Sequence, residues 1–140
     1  MCAISPGAHA TDAHLAEAES LLTTVGSVLR IDEGKQDAAT AVSGSGPAYF
    51  FLVAEAMIEA GVGVGLTRAA ATELTVQTAL GAARMLRETG EHPAVLRENV
   101  TSPAGTTAAA LRELERHGLR SAFADAVTAA HDRSAELGRS

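Results

Sequence analysis

Residues 101–107 combine hydroxyl side chains and small residues directly before a predicted helix, and they read Thr-Ser-Pro-Ala-Gly-Thr-Thr. The start of a helix presents unpaired N–H groups and roughly half a positive charge, and small residues let an anion approach the backbone. The hydroxyls of Ser102, Thr106 and Thr107 add further hydrogen-bond donors. The pattern predicts a carboxylate-binding loop, although a helix cap with redundant hydroxyls explains the same residue types.

A second candidate is the turn predicted at residues 43–47, Ser-Gly-Ser-Gly-Pro, immediately before a helix. It has neither the lysine nor the spacing of a phosphate-binding loop, so we expect a close-packing turn next to a ligand instead. Glu55 and Glu59 stand four residues apart on one helical face, where paired carboxylates can perform acid–base chemistry. Such a pair is more often the solvated stripe of an otherwise apolar helix.

Metal chemistry has little support in the sequence. His9 and His14 fall on either side of a predicted loop–helix junction, and Cys2 is the single cysteine. One cysteine excludes an internal disulfide and any cysteine-based zinc site. We therefore predict that the chain holds no metal.

Composition restricts the class of protein. The chain has 140 residues, 46% of them hydrophobic, but aromatics make up only 3% and tryptophan is absent. A core of small side chains favours closely packed helices over a β-sandwich. The net charge of −6 argues against binding to nucleic acid or to an anionic membrane surface. No run approaches the roughly 18 apolar residues of a membrane span, and no signal-peptide pattern is visible, so we expect a soluble, cytoplasmic protein.

The first part of the chain carries an α/β pattern. Short strands are predicted at residues 2–5 and 28–31, with a helix between them that Thr11 or Asp12 caps. Because two short strands do not form a stable sheet alone, they are expected to be the edge of a larger sheet.

Beyond Ala38 every predicted element is a helix. The predicted helices cover residues 48–60, 67–88, a short stretch from Pro93, 108–117 and 121–137. The helix at 48–60 is apolar on nearly all sides, which is typical of a helix buried in a core or in a subunit interface.

Several motifs, in order along the chain, carry a family resemblance. They are residues 41–49 (AVSGSGPAY), 65–68 (GLTR), 92–93 (HP), 96–103 (LRENVTSP), 105–107 (GTT) and 133–137 (RSAEL). The sequence resembles pyrroline-5-carboxylate reductase, the last enzyme of proline synthesis. The resemblance implies an N-terminal Rossmann domain that binds NADPH or NADH, followed by a helical domain. It also implies a homodimer through interlocked helices, or a ring of such dimers.

On this resemblance we predict a mainly α fold in two parts. Residues 1–37 are expected to be a strand-helix-strand remnant of the Rossmann domain, and residues 38–140 the all-helical domain for dimerisation and substrate binding. The dinucleotide fingerprint of the family is absent from the sequence. We therefore predict that the chain alone is inactive.

The resemblance also implies functional residues. Ser102, Gly105, Thr106 and Thr107 would hold Δ1-pyrroline-5-carboxylate, and Thr107, the catalytic candidate, would reach its ring nitrogen. Glu91 and Asn99 would lie toward the cofactor.

One residue departs from the family pattern. The family usually reads Ser-Pro-Gly-Gly, whereas this chain has Ala104 at the first glycine. If that position needs a positive φ, alanine costs on the order of 1–2 kcal/mol and the loop is expected to shift.

Two other readings stay open. The apolar helix at residues 48–60 also suits a non-catalytic module whose only activity is self-association. The chain would alternatively be the helical domain of a different hydroxyacid or imine reductase.

Overall fold

The computed structural model describes residues 1–139. In chain order, the elements are β1 (Cys2–Ile4), α1 (Asp12–Leu22), β2 (Val28–Arg30), α2 (Gln36–Ala39), α3 (Gly46–Gly63), α4 (Arg68–Thr89), α5 (Pro93–Asn99), α6 (Thr106–Arg116) and α7 (Leu119–Leu137). This order confirms the prediction of a mainly helical chain that begins with a strand, a helix and a second strand.

The chain divides into two compact units. The first unit comprises Met1–Pro47 together with the chain from Phe123 onward, and the second comprises Ala48–Ala122. The predicted carboxylate-binding loop belongs to the second unit.

In the first unit, β1 and β2 pair in parallel, with Cys2 opposite Val28. Parallel strands require a crossover, and α1 supplies it. The Thr11 hydroxyl accepts a hydrogen bond from the backbone N–H of His14, and His14 Nδ1 accepts one from the N–H of Thr11. This reciprocal cap fixes the start of α1 and gives His14 a structural role.

Side-chain hydrogen bonds connect distant parts of the first unit. Gln36 Nε2 donates to Ser5 Oγ at 2.9 Å, so the segment after β1 is joined to α2. Ser134 Oγ donates to Asp37 Oδ1 at 2.6 Å, which joins α7 to the same short helix. The last helix of the chain is thereby held against the segment that follows β2.

The turn predicted at residues 43–47 is wrong, because this segment is helical. A 3₁₀ turn at Glu33–Lys35, α2 and a π-helical turn at Thr40–Gly44 lead into α3. Ser43 Oγ donates to the carbonyl of Ala39 at 3.1 Å, as expected of a hydroxyl inside a helix. Pro47 lies in the first turn of α3, where its missing N–H leaves no hydrogen bond broken. The segment therefore forms no phosphate-binding loop.

The helical stretch Glu33–Gly63 is long and apolar enough, by length and composition alone, to cross a membrane. A count of uninterrupted apolar residues overlooks it, because the stretch includes charged residues. Its apolar side chains are largely uncovered: Phe50, Phe51 and Leu52 keep 76%, 72% and 66% of their surface exposed. The expectation that this helix is buried is therefore not met within the chain itself.

In the second unit, α3 and α4 form a helical hairpin, and the two helices approach closely beside the turn that joins them. A Cβ atom at Gly61 would lie 3.2 Å from Cβ of Ala71, which is buried. The missing side chain of Gly61 thus permits the close approach. Across the same hairpin, Arg68 Nη1 lies 2.6 Å from Glu59 Oε1. This hydrogen bond, together with the charge of the guanidinium, lowers the pKa of Glu59 below its usual value.

Candidate functional site

The candidate site starts at α5, and the residues around its start fix where this helix begins. Before it, α4 ends at Gly90, which adopts the left-handed conformation with φ +65°. His92 then caps α5, because its Nδ1 accepts a hydrogen bond from the backbone N–H of Ala94 at 3.2 Å. Pro93 occupies the first helical position, which favours a helix start. The short helix predicted from Pro93 is confirmed.

The segment after α5 is anchored by a hydroxyl. Thr101 Oγ1 donates to the carbonyl of Arg97 at 2.6 Å, and the Thr101 amide donates to the carbonyl of Glu98 at 2.9 Å. The side chain of Thr101 is therefore used to hold the loop against α5. Its hydroxyl is not a free donor for a ligand.

A tight turn follows, from Ser102 to Gly105. The Gly105 amide donates to the carbonyl of Ser102 at 3.0 Å, which closes a four-residue β-turn. Pro103 is its second residue, and Ala104, the third, has φ +58°. A proline at the second position with a positive φ at the third defines a type II turn.

Ala104 has the positive φ at which an alanine is expected to be strained. Among residues 1–139, Ala104 is the one non-glycine residue with a positive φ. The left-handed conformation costs an L-residue other than glycine roughly 1–2 kcal/mol. The loop forms its turn in spite of this cost, so backbone strain is stored within the candidate site.

Gly105 is required for space. Its φ of −77° is accessible to any residue. However, a Cβ atom there would overlap the hydroxyl oxygen of Ser102 and lie 3.1 Å from the carbonyl oxygen of Ser102. The Ser102 side chain therefore occupies the volume that a larger residue at position 105 would need.

The start of α6 presents hydrogen-bond donors without partners. Ala109 is the first residue of this helix whose amide donates within the chain, to the carbonyl of Gly105 at 3.1 Å. Within residues 1–139, the amides of Thr106, Thr107 and Ala108 donate to no backbone acceptor. The N-cap residue is Gly105, which has no side chain that could accept a hydrogen bond from these amides. These amides carry the partial positive charge of a helix start.

The hydroxyls nearby are not used as caps either. In the described part of the chain, no hydrogen bond is made by the side chains of Ser102, Thr106 or Thr107. Ser102 and Thr106 are exposed, and Thr107 is half-buried. The simpler explanation, a cap with redundant hydroxyls, does not describe these side chains. Chemically, the turn and the start of α6 are suited to bind a small anion.

The two residues predicted to lie toward the cofactor stand at opposite ends of α5. Glu91 precedes α5 and Asn99 ends it, and both are exposed. At about 1.5 Å of rise per residue, the 7 residues of this helix span roughly 10 Å. Sequence reasoning missed the anchoring roles of His92 and Thr101. For His92, its place directly before a proline at a helix start is the signal that indicates a cap.

Comparison with known proteins identifies the family. Residues 33–137 match the family model described as pyrroline-5-carboxylate reductase dimerisation. The chain is 52% identical over 139 residues to pyrroline-5-carboxylate reductase from Corynebacterium melassecola, covering 99% of this chain and 52% of the relative. It is 48% identical over 139 residues to that of a Synechocystis strain, with the same coverage. The chain thus spans about half the length of these curated relatives.

Solved structures agree with this result. A pyrroline-5-carboxylate reductase from Coxiella burnetii superposes with a TM-score of 0.92 at 43% identity, covering 96% of this chain and 50% of that one. A Plasmodium falciparum pyrroline carboxylate reductase, described with NADP bound, gives 0.87 at 32% identity, covering 94% and 53%. On the match to the family model and on these identities, the chain belongs to the pyrroline-5-carboxylate reductase family.

Proposed function

We propose that this chain supplies the substrate-binding loop and the dimerisation helices of a reductase that converts Δ1-pyrroline-5-carboxylate to L-proline. The observation that carries the proposal is the cluster of amides and hydroxyls at the turn before α6 that have no partner within residues 1–139, in a chain of this family. A carboxylate is the group of this substrate that such donors recognise.

Within this proposal, the residues of the loop have separate roles. Ser102, Thr106 and the amides at the start of α6 bind the carboxylate, and Gly105 leaves room for the Ser102 hydroxyl. Thr107 is half-buried, and its hydroxyl reaches the ring nitrogen. A reduced nicotinamide would supply the hydride to the C=N carbon of the substrate with its ring nitrogen protonated, so that the double bond becomes the C–N single bond of an amine. The loop contributes orientation and hydrogen bonds to this step.

The residues present do not fit the pyrophosphate of a nicotinamide dinucleotide. A dinucleotide-binding turn needs several glycines directly before a helix whose N–H groups are free. Between β1 and α1 the chain has a single glycine, Gly7, and the Thr11 hydroxyl already caps the helix. We therefore propose that residues 1–37 end a cofactor domain whose phosphate site lies outside this chain. Glu91 and Asn99, in the helical part at 38–140, would face the bound NADPH or NADH.

The pairing role rests on α3. Its exposed aromatic and aliphatic side chains are suited to a second copy of the chain, because burying them stabilises a dimer by removing apolar surface from water. We propose a homodimer through interlocked helices, or a ring of such dimers, in the cytoplasm.

A second function is favoured by the same helix. If self-association is the only activity, the exposed face of α3 is explained and the loop has no ligand. The two functions make different predictions for ligand binding, so one experiment separates them.

The test is a thermal melt of the chain with L-proline. We expect proline to raise the melting temperature of the wild-type chain and of Thr107→Ser, which keeps the hydroxyl. Thr107→Val, which keeps the shape without the hydroxyl, is expected to lose most of this shift. Thr128→Ala on α7, whose hydroxyl bonds the carbonyl of Ala124, serves as the control for removing a threonine elsewhere. No shift in any variant would favour the self-association module.

A second assay tests the position of the cofactor domain. We expect the chain alone, mixed with NADPH and Δ1-pyrroline-5-carboxylate, to cause no loss of absorbance from the reduced cofactor. Steady turnover would refute the proposal that the phosphate site lies outside this chain.

A further inference from the structure

The turn at Ser102–Gly105 has an alternative that keeps its closing hydrogen bond. Type I and type II turns share the bond from the fourth residue to the first, and they differ in the peptide between the second and third. Going from one to the other reverses that peptide and changes the sign of φ at the third residue. Here the peptide links Pro103 to Ala104.

Residue 104 sets the balance between these two turns. A glycine at the third position adopts a positive φ without penalty, so it favours type II. An alanine there favours the negative φ of type I, because its Cβ is crowded in the left-handed region. The structure nevertheless has Ala104 at φ +58°. The type II turn is therefore closer in free energy to its alternative than it would be with glycine.

The peptide reversal changes the direction in which the loop presents a backbone N–H group to a ligand. Within residues 1–139, the Ala104 amide donates to no acceptor, and the residue is exposed. Reversal points this N–H to the opposite side of the turn. The anchors on either side, the Thr101 bond to Arg97 and the Gly105 bond to Ser102, are compatible with both orientations. Reversal therefore requires no rearrangement of α5 or α6.

We propose that Ala104 makes this turn a two-state element, in which the free chain divides between type I and type II and a bound carboxylate selects type II. The proposal rests on the proposed substrate role of the loop. Ala104 is then a positioning residue. Because only part of the free chain is competent to bind, the apparent affinity is lower than glycine at the same position would allow.

Nuclear magnetic resonance of the labelled chain tests the turn without any ligand. In a type II turn the Hα of Pro103 lies close to the amide proton of Ala104, and in a type I turn it is more distant. We expect a reduced cross-peak between these protons in the wild-type chain, and a full type II cross-peak in Ala104→Gly. A full type II cross-peak in the wild-type chain as well would overturn the proposal.

Titration with L-proline tests the selection. We expect proline to raise the wild-type cross-peak to the type II intensity, and Ala104→Gly to bind proline about fivefold more tightly. Ala104→Asn, which tolerates the left-handed conformation, is expected to fall between the two, and Ala104→Val to bind more weakly than wild type. Equal affinity across this series would overturn the proposal.

Gly118→Ala is the matched control. Gly118 also has a positive φ, +70°, but it follows α6 at the end remote from the loop. This substitution is expected to lower the melting temperature and leave proline affinity unchanged. If no variant binds proline, the substrate role fails and carboxylate selection fails with it. The ligand-free cross-peaks still decide whether the turn has two states.

Discussion

The helix α3 and the turn before α6 both expose groups that a folded chain normally covers, and these groups are opposite in kind. On α3 they are apolar: Phe50 and Phe51 keep 76% and 72% of their surface exposed. At the turn they are polar donors, the amides and hydroxyls around Thr106 and Thr107. Exposed apolar area is stabilised by a protein surface, whereas unpaired donors are stabilised by an anion. The two regions therefore indicate two different occupants for one chain.

The regions also differ in conformational strain. The residues of α3 have ordinary helical geometry, without a positive φ. The turn instead contains Ala104 in the left-handed region and Gly105 against the Ser102 side chain. Strain at a site persists where the surrounding structure holds it, and it is concentrated at functional positions. A substitution in one region should therefore leave the function of the other intact.

The largest effect is expected from charge on α3. The double substitution Phe50→Glu with Phe51→Glu places two carboxylates on the surface proposed for pairing, so we expect self-association to weaken about a hundredfold or more. Sedimentation at micromolar concentration measures this as a change from dimer to monomer. Val64→Glu is the control, because it introduces a carboxylate at a residue that is 84% exposed but lies just beyond α3. An unchanged dimer in the double variant would remove α3 from the interface.

A smaller effect is expected from the turn. In Gly105→Ala the new methyl group displaces the Ser102 hydroxyl, so we expect proline affinity to fall by about tenfold while self-association is unchanged. Calorimetric titration and sedimentation measure the two properties separately. Gly63→Ala is the control, because a Cβ at Gly63 meets no atom within 4 Å. Unaltered proline binding in Gly105→Ala would show that the Ser102 hydroxyl does not contact the ligand.

The smallest effect is expected from the ion pair of Glu59 with Arg68, which joins α3 to α4. The hydrogen bond and charge of Arg68 lower the pKa of Glu59 in the folded chain, and unfolding removes the pair. A carboxylate with a lowered folded pKa stabilises the fold above its unfolded pKa, and this contribution is lost as the pH falls through the folded value. The stability difference between wild type and Glu59→Gln should therefore shrink as the pH falls from about 7 to about 3.

Urea unfolding at each pH measures this difference. Glu73→Gln is the control, since Glu73 is exposed and makes no ion pair within the described residues. The pair is exposed, so the effect is expected to be slight. A difference that grows on acidification would contradict the assignment.

The local sequence pattern was sufficient to predict most of the helices. Thr67 caps α4, and glycines with positive φ follow α4 and α6 at Gly90 and Gly118, as their positions between apolar segments indicate. Such signals act over a few residues, so they can be read from the chain directly. The turn predicted at residues 43–47 failed for the same reason. Its glycines and serines favour a turn locally, but here they continue a helix through a π-helical turn.

The candidate site was only partly determined by local pattern. The sequence places hydroxyls and small residues before α6 and indicates a start of a helix that attracts anions. It does not show which hydroxyls are already used. The Thr101 hydroxyl donates to the carbonyl of Arg97, whereas the hydroxyls of Ser102 and Thr107 make no hydrogen bond among the described residues. That division depends on how α5 and the loop are arranged in space.

By itself, the sequence determined the helical class, the strand-helix-strand at the start and the residues from which the loop is built. These follow from periodicity, capping and composition, which are properties of neighbouring residues. Only the tertiary structure decided that Ala104 is left-handed, that Ser102 fills the space beside Gly105 and that the aromatic side chains of α3 stay uncovered. Each of these depends on the positions of atoms that the backbone path brings together, and residue order alone does not specify them.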